Sequence, residues 1–497
     1  MPYIETSRGL YRRPLSLSEK GMVAAVEAFR PSPRELIKIY AFADFTLPLT
    51  STPSVQTVDQ VVSAFASAWK ALRLLKSPDI ATSFEDGYKS YHVPCSPEEL
   101  EAWLARTFIV SEAGTGTSVQ SAVRAMQQRI ELLPAIQLIP RHEHGTEDDG
   151  TFEKGTLVLS ISHWRTEAAG AFKILNQLFD YAADLLFGTA TTEALSRHRP
   201  GDELHLLTPA VEDILMPHGQ STPEAKARVE KRFDKYYSSL PCIDFPTQGS
   251  PSDPFSTAKE IRHTYNASTT ANLRAACKAL GGITITSAVH SAYLGAVWTM
   301  APPEHRSRNY ASIMPAQVRT RLPASSPYRD QGCWSAAQML MLTLPPNQDF
   351  LTRARDLRSQ YKLADQESWW YEDALETGEQ VSQLAVRTPP DGQPVSSPWF
   401  TGLGLLDGDG ETETIASEHG HPTAIKVDDV DFFADPLSPG IVLRVWTFRG
   451  RLNIHAVWNA AYHADEQLRR LMDTIDKSLA AHLGVEVEVE TTEEKEY

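Results

Sequence analysis

The sequence predicts an α/β protein, with mixed sheets of the α+β kind, built as two lobes. Apolar residues alternate repeatedly between period two and three-to-four spacing, the marks of strands and amphipathic helices in one chain. A polar, proline-rich stretch from about Met216 to Thr257 separates two halves, and 497 residues exceed what one hydrophobic core ordinarily supports. The expected division is an amino-terminal lobe over 1–215, a linker over 216–257, a second lobe over 258–483 and an acidic, disordered tail over 484–497.

The elements follow in order. VDQVVSAFASAWKALR places Val58, Val61, Val62, Phe65, Trp69 and Leu72 on one helical face. ELEAWL starts a shorter packing helix, and SVQSAVRAMQQRIELL follows it. LLPAIQLIP is a short apolar run closed by Pro140, and the polar loop RHEHGTEDDGTFEKG leads out of it. His142 and His144 in that loop form an HxH pair; metal binding needs further ligands that the neighbouring sequence lacks, so a solvated loop is the reading.

LVLSISHWRTEAAGAFKILNQLF comes next. Leu157, Leu159 and Ile161 share one strand face, and His163 continues their series, so its side chain is expected to point inward. From Ala168 the spacing becomes helical through Phe172, Leu175, Leu178, Phe179, Ala182, Leu185 and Leu186. A histidine at a strand-to-helix turn is held by rigid elements yet reachable by ligand. Two accounts stand: a core histidine with satisfied nitrogens, or a reactive one.

The boundary stretch carries a basic cluster, Lys226, Arg228, Lys231, Arg232 and Lys235, interleaved with Glu224, Glu230 and Asp234. That pattern suits either a solvated helix face or an anionic cofactor. In the second half, Leu273, Ala276, Cys277 and Leu280 form a helix face stopped by Gly281 and Gly282, with Thr286 or Ser287 expected to cap the next helix. GIVLRVWTF and LNIHAVWN flank FRGR as a hairpin, with His455 structural. A last helix lines up Leu468, Met472, Ile475, Leu479 and Leu483.

Composition narrows the function classes. A net charge of -16 argues against a nucleic-acid surface, which needs clustered cations. The tail GVEVEVETTEEKEY, six Glu against one Lys, holds -5 of it. Cys95, Cys242, Cys277 and Cys333 lie far apart, suggesting neither a zinc knuckle nor a disulfide framework. The amino terminus lacks the apolar core of a secretory signal, and no segment approaches a membrane span in length. A soluble, cytoplasmic protein is expected.

These pieces in this order resemble the chloramphenicol acetyltransferase-like superfamily of CoA-dependent acyltransferases, which includes the plant BAHD enzymes and peptide-synthetase condensation domains. The flavour is similar to the fungal trichothecene 15-O-acetyltransferase group. The superfamily motif HxxxD, often HHxxxDG, stands here as Ser162-His163-Trp164-Arg165-Thr166-Glu167-Ala168. VDQVVSAFASAWKALR, NLRAACKALGGITITSAVHSAYLGAV, MPAQVRTRL and the closing hairpin and helix resemble the other family segments. The motif departs at Ser162, Glu167 and Ala168, and there is no DFGWG; SPWFTGLGLLDG occupies the comparable stretch.

The resemblance implies two chloramphenicol acetyltransferase-like lobes with a tunnel between them, a monomer, acyl-CoA (acetyl-CoA in the first instance) as co-substrate and no metal. The acceptor is a hydrophobic small-molecule alcohol, neither a nucleic acid nor a membrane. His163 is then the general base that takes the hydroxyl proton, a contribution of about 10²–10⁴-fold, and a partly buried turn keeps it uncharged. Thr401 or a WFTG amide is the oxyanion donor candidate, and Trp164, Trp334, Trp399, Phe400 and Ser162 are candidate lining residues.

By the same resemblance Glu167 is the structural carboxylate and Arg319 its partner. The extra methylene of Glu displaces the carboxylate by roughly 1.5 Å relative to Asp, and a surface Glu of little consequence is the other reading. The altered motif also leaves open a repurposed fold that cyclises, rearranges or dehydrates a polyketide or terpenoid without acyl transfer.

Overall fold

The computed structural model describes residues 2–29, 32, 34–48, 56–111, 117–129, 133–141, 151–218, 220–248, 256–334, 337–363, 370–384, 397–408, 414–420 and 424–497. His142 and His144 lie outside them. The chain divides into two compact units: Met1–Ile214 with Arg319–Ala336 and Asp407–Ala434, and Leu215–Val318 with Ala337–Leu406 and Asp435–Tyr497.

The first unit is built on a six-stranded sheet. Its strands run in the order Glu418–His419, Ile425–Ala434, Ile39–Thr46, Lys154–Ile161, Ala135–Arg141 and Phe108–Val110. All neighbours are antiparallel except the last pair. Lys154–Ile161 lies inside the sheet, with Ile39 opposite Ile161 and Ala135 opposite Ser160. Leu157, Leu159 and Ile161 are buried as their spacing requires, but so are Val158 and Ser160 on the opposite face. The sheet is therefore covered on both sides.

Helices Val58–Leu75 and Ala168–Phe187 pack against each other. Thr57 and Gln60 close a capping box on the first. Phe45, Phe65, Phe152 and Phe179 meet with ring centroids 5.2–5.9 Å apart, tying both helices to the sheet. A smaller antiparallel sheet orders Ile4–Ser7, Leu10–Pro14, Tyr88–His92 and Ser83–Glu85.

The second unit holds a five-stranded sheet in the order Pro398–Leu405, Ile441–Phe448, Arg451–Asn459, Ala258–Tyr265 and Val489–Glu496. The hairpin around FRGR turns through Arg449 and Gly450, both at positive φ (49° and 71°), the two-residue geometry that matches strand twist. Ile285–Met300 and Asp465–Leu483 pack together over the core, the latter burying the whole Leu468–Leu483 stripe. The cap of Ile285–Met300 is Thr284, which forms a capping box with Ser287, rather than Thr286 or Ser287 itself.

Three expectations about organisation change. Two segments of the second half join the first unit, because Ile425–Ala434 pairs with Ile39–Thr46 and Arg319 reaches Glu167. The stretch expected as a linker contains helix Pro223–Ser238 and clusters with the second unit. The acidic tail is ordered: Val489–Glu496 adds an antiparallel strand to Ala258–Tyr265. Its carboxylates find cations on the surface it covers, Arg262 with Glu493 at 2.9 Å, Arg469 with Glu494 at 2.7 Å and Lys259 with Glu496 at 3.5 Å. Tyr497 is buried and donates its hydroxyl to Glu260, which also holds His455 at 2.9 Å.

Candidate active site

The motif strand ends at Ile161, and a tight turn starts at Ser162, in which the Arg165 amide donates to the Ser162 carbonyl at 3.0 Å. Glu167 is the N-cap residue of helix Ala168–Phe187 and accepts the Ala171 amide at 2.9 Å through its carbonyl. His163 sits in this turn, half-buried between the buried side chains of Ser162, Trp164, Arg165 and Thr166. It is the one residue from Ser162 to Thr166 that is not fully buried.

The Glu167 side chain does not cap its own helix. It pairs with Arg319, which is fully buried. Arg319 also donates Nε to the Gln331 carbonyl at 3.0 Å and Nη2 to the carbonyls of Gly332 and Trp334 at 3.0 and 2.6 Å. Burial pushes the guanidinium down to about 9, which leaves it cationic at neutral pH. Thr166 adds a bond from its hydroxyl to the Gly332 carbonyl at 2.5 Å.

This clamp needs backbone to approach backbone. A Cβ on Gly170 would strike Thr166, the Gly332 carbonyl and Arg319, and one on Gly332 would strike Ile174 and the Gly170 carbonyl. Ala168, at the motif's usual glycine position, is merely buried, so the close approach falls two residues later.

A second buried layer lies behind the turn. Arg165 stacks on Trp164, its guanidinium carbon 4.1 Å from the ring centroid, and donates to Thr82 Oγ1 at 2.6 Å. Lys89 pairs with Asp79 at 2.8 Å and Glu19 at 3.4 Å, and Arg13 grips Glu19 with two bonds of 2.7 and 2.8 Å. Burial alone would raise the Glu19 carboxyl; Lys89 and Arg13 instead hold it down at about 2. Asp79 accepts the amide and hydroxyl of Thr208, whose hydroxyl meets Gln331 Oε1 at 2.7 Å. Since the Gln331 carbonyl holds Arg319, the network runs from Arg165 to Glu167 and braces the turn at both ends.

The sequence groups Trp164 and Trp334 with cavity-lining residues; the structure instead buries both, each with a guanidinium over its ring, Arg319 lying 5.0 Å from the Trp334 centroid. Trp399, Phe400 and Thr401 lie on the edge strand of the second unit and alternate faces. Trp399 is 45% exposed, Phe400 is 2% exposed and Thr401 is half-buried. Phe400 packs face to face on His290 at 4.0 Å and so belongs to the core, not to an open cavity. His290 has both ring nitrogens engaged, by Tyr361 at 2.5 Å and Tyr310 at 3.0 Å, and burial holds its pKa well below the usual range.

The basic cluster on Pro223–Ser238 is partly consumed by structure: Arg228 and Arg232 pair with buried Asp373 at 2.8 and 2.6 Å. Sequence reading missed Arg13, Glu19, Asp79, Lys89 and Gln331, because isolated charges give no local sign that they will be buried together. Gly170 and Arg165 were visible inside the quoted motif region. Among the described residues no helix is long and apolar enough to cross a membrane.

No family model matches the chain. An acetyltransferase of Monascus ruber, pigO, is 26% identical across 98% of this chain and 99% of its own length. The O-acetyltransferase pigM of the same organism is 23% identical across 98% of this chain and 88% of its own. Among solved structures, the trichothecene 15-O-acetyltransferase TRI3 of Fusarium sporotrichioides superposes with a TM-score of 0.80 at 13% identity, covering 97% of each chain. The chain thus has the fold of the trichothecene 15-O-acetyltransferase and is similar along nearly its whole length to fungal acetyltransferases, the likeness expected of a CoA-dependent acyltransferase.

Proposed function

We propose that the protein transfers an acyl group, acetyl in the first instance, from acyl-CoA to a hydroxyl of a hydrophobic secondary metabolite of the polyketide or terpenoid kind, acting as a cytoplasmic monomer. The observation that carries this reading is the turn itself. A half-buried histidine stands four residues ahead of a carboxylate that is tied to a buried arginine, at the start of a helix. The substituted motif position is thus in use: Glu167 is the carboxylate that pairs with buried Arg319. The likeness to fungal acetyltransferases favours acyl transfer over the repurposed chemistry that the altered motif left open.

The chemistry follows from the residues. An alcohol is too weak an acid to attack a thioester at neutral pH, so an imidazole nitrogen of His163 takes its proton as the new carbon–oxygen bond forms. The tetrahedral intermediate collapses by breaking the carbon–sulfur bond, and the imidazolium returns the proton to the departing thiolate. Neither step needs a covalent acyl-enzyme.

Incubating the purified protein with acetyl-CoA and a panel of hydroxylated polyketides and terpenoids tests this by mass spectrometry. A product heavier than its acceptor by one acyl group, with release of free CoA thiol, is expected. Products with the acceptor's own mass, or that mass less water, would overturn it.

A further inference from the structure

We propose that Glu35 is a positioning residue of this site: by accepting the Ser162 hydroxyl it fixes the peptide at which the motif strand ends, and with it the direction in which His163 is presented. The inference rests on the acyl-transfer reading above and assigns a residue outside the motif to it.

Antiparallel pairing brings the two together. Ile39 lies opposite Ile161, so the residues just before Ile39 run alongside those just after Ile161. Ser162 Oγ donates to Glu35 Oε2 at 2.9 Å, and Ser162 is buried. The other carboxyl oxygen, Oε1, is closed off from solvent and meets no hydrogen-bond partner among the described residues. Burial raises the Glu35 carboxyl above its ordinary range, although Lys38, the Ser162 hydroxyl and Arg165 pull the other way. Glu35 is half-buried, yet a carboxyl that keeps one oxygen dry and unbonded is costly for a fold to hold, and its one bond goes to the residue joined to the base.

The loop around it is shaped to hold that bond. The Lys38 amide donates to the Glu35 carbonyl at 3.3 Å, closing a turn, and Ile37 within it takes a φ of 52°. A β-branched residue adopts that left-handed conformation only where its surroundings impose it. Serine at the position before His163 brings a hydroxyl that must find an acceptor when buried, and Glu35 is that acceptor. The two residues act as one device.

The test compares wild type, Ser162→Ala, Glu35→Ala, Glu35→Gln and the Ser162→Ala/Glu35→Ala double variant. Each alanine variant is expected to lower kcat about tenfold while changing the KM for acetyl-CoA less than about twofold, since a displaced base costs rate rather than binding. The double variant should lose no more than about tenfold, because both changes remove one shared interaction. Glu35→Gln keeps an accepting oxygen and should recover kcat to within about threefold of wild type. An unchanged kcat in Glu35→Ala, or losses that multiply to about a hundredfold in the double variant, would overturn the proposal.

A second readout does not depend on turnover. The His163 ring Cε1–H resonance, identified by its absence from His163→Ala, should move in both alanine variants and return in Glu35→Gln. A resonance that stays fixed overturns the positioning role. If wild type transfers no acyl group, the functional reading falls by itself and the resonance alone decides for or against Glu35.

Discussion

Two sets of ion pairs hold this molecule together in different ways. Around the motif turn, Arg13, Glu19, Asp79, Lys89, Arg165 and Arg319 are all at most 3% exposed. Along the carboxy-terminal strand, Glu493, Glu494, Glu496 and the facing Arg469 stand 39–50% exposed, while Lys259 is 24% and Arg262 4% exposed beneath them. Exposed pairs gain little, because water and salt screen them. Buried pairs are no bargain for stability either, but removing one partner strands a charge without solvent, so the geometry they impose is hard to leave. The interior set therefore suits a site that must hold a histidine in one direction, and the surface set suits a strand that only needs to be kept in place.

The sharpest way to break that contrast is Glu167→Ala. Leaving Arg319 buried without its carboxylate should cost about 3–5 kcal/mol in chemical denaturation. A loss below about 1 kcal/mol would place this pair with the surface set. Gly170→Val is expected to be comparably damaging, through collision with Thr166, the Gly332 carbonyl and Arg319 rather than through charge.

Ending the chain after Val485 removes a whole strand and buried Tyr497, and should lower the melting temperature by roughly 5 °C. No change would mean that the strand contributes nothing to the fold. The smallest effect is expected for Arg469→Ala, whose midpoint should stay within scatter of wild type at moderate salt. A clear loss there would erase the distinction between the two sets.

Acid and salt separate the sets without mutation. Glu19 has a folded-state pKa depressed to about 2, so its contribution is fully present above the ordinary carboxylate value of 4.5 and is lost as pH falls from there towards about 2. Glu19→Gln should flatten the acid limb of the stability profile in that window. Raising salt to about 1 M at neutral pH should weaken the attachment of the carboxy-terminal strand, read by amide hydrogen exchange, and leave the amides around Gly170 protected. Equal salt response in both regions would contradict the account.

What could be read from the sequence divides along the same physical line. Local periodicity sufficed for the Val58–Leu75 and Asp465–Leu483 helices, the strand before His163 and the Arg449–Gly450 turn, because each is dictated by near neighbours. The Ile425–Ala434 strand was missed: a register shift between Val427 and Asp429 interrupts its alternation, and its partner lies far away in sequence. The tail was misjudged for a related reason, since a run of carboxylates looks solvated until Arg262, Arg469 and Lys259 are known to face it.

At the candidate site the motif supplied His163 and Glu167, and resemblance supplied Arg319. Glu35, Asp79, Lys89 and Glu19 carry no such mark, because burial of a charge is decided by the tertiary fold. An aromatic ring suits either a ligand or a guanidinium, and at Trp164 and Trp334 the structure shows Arg165 and Arg319 in that place.

The most direct test of the central claim, that a braced turn presents His163 as the base for acyl transfer, is a comparison of wild type with His163→Ala. Turnover is measured at saturating acetyl-CoA, with acetyl-CoA binding followed by calorimetry in the same preparations. The account predicts a fall in kcat of at least about a hundredfold with the binding isotherm nearly unchanged, because the base acts in the transition state and hardly touches the co-substrate. Full turnover in His163→Ala, or a wild-type protein that gives no saturable heat with acetyl-CoA, would contradict it.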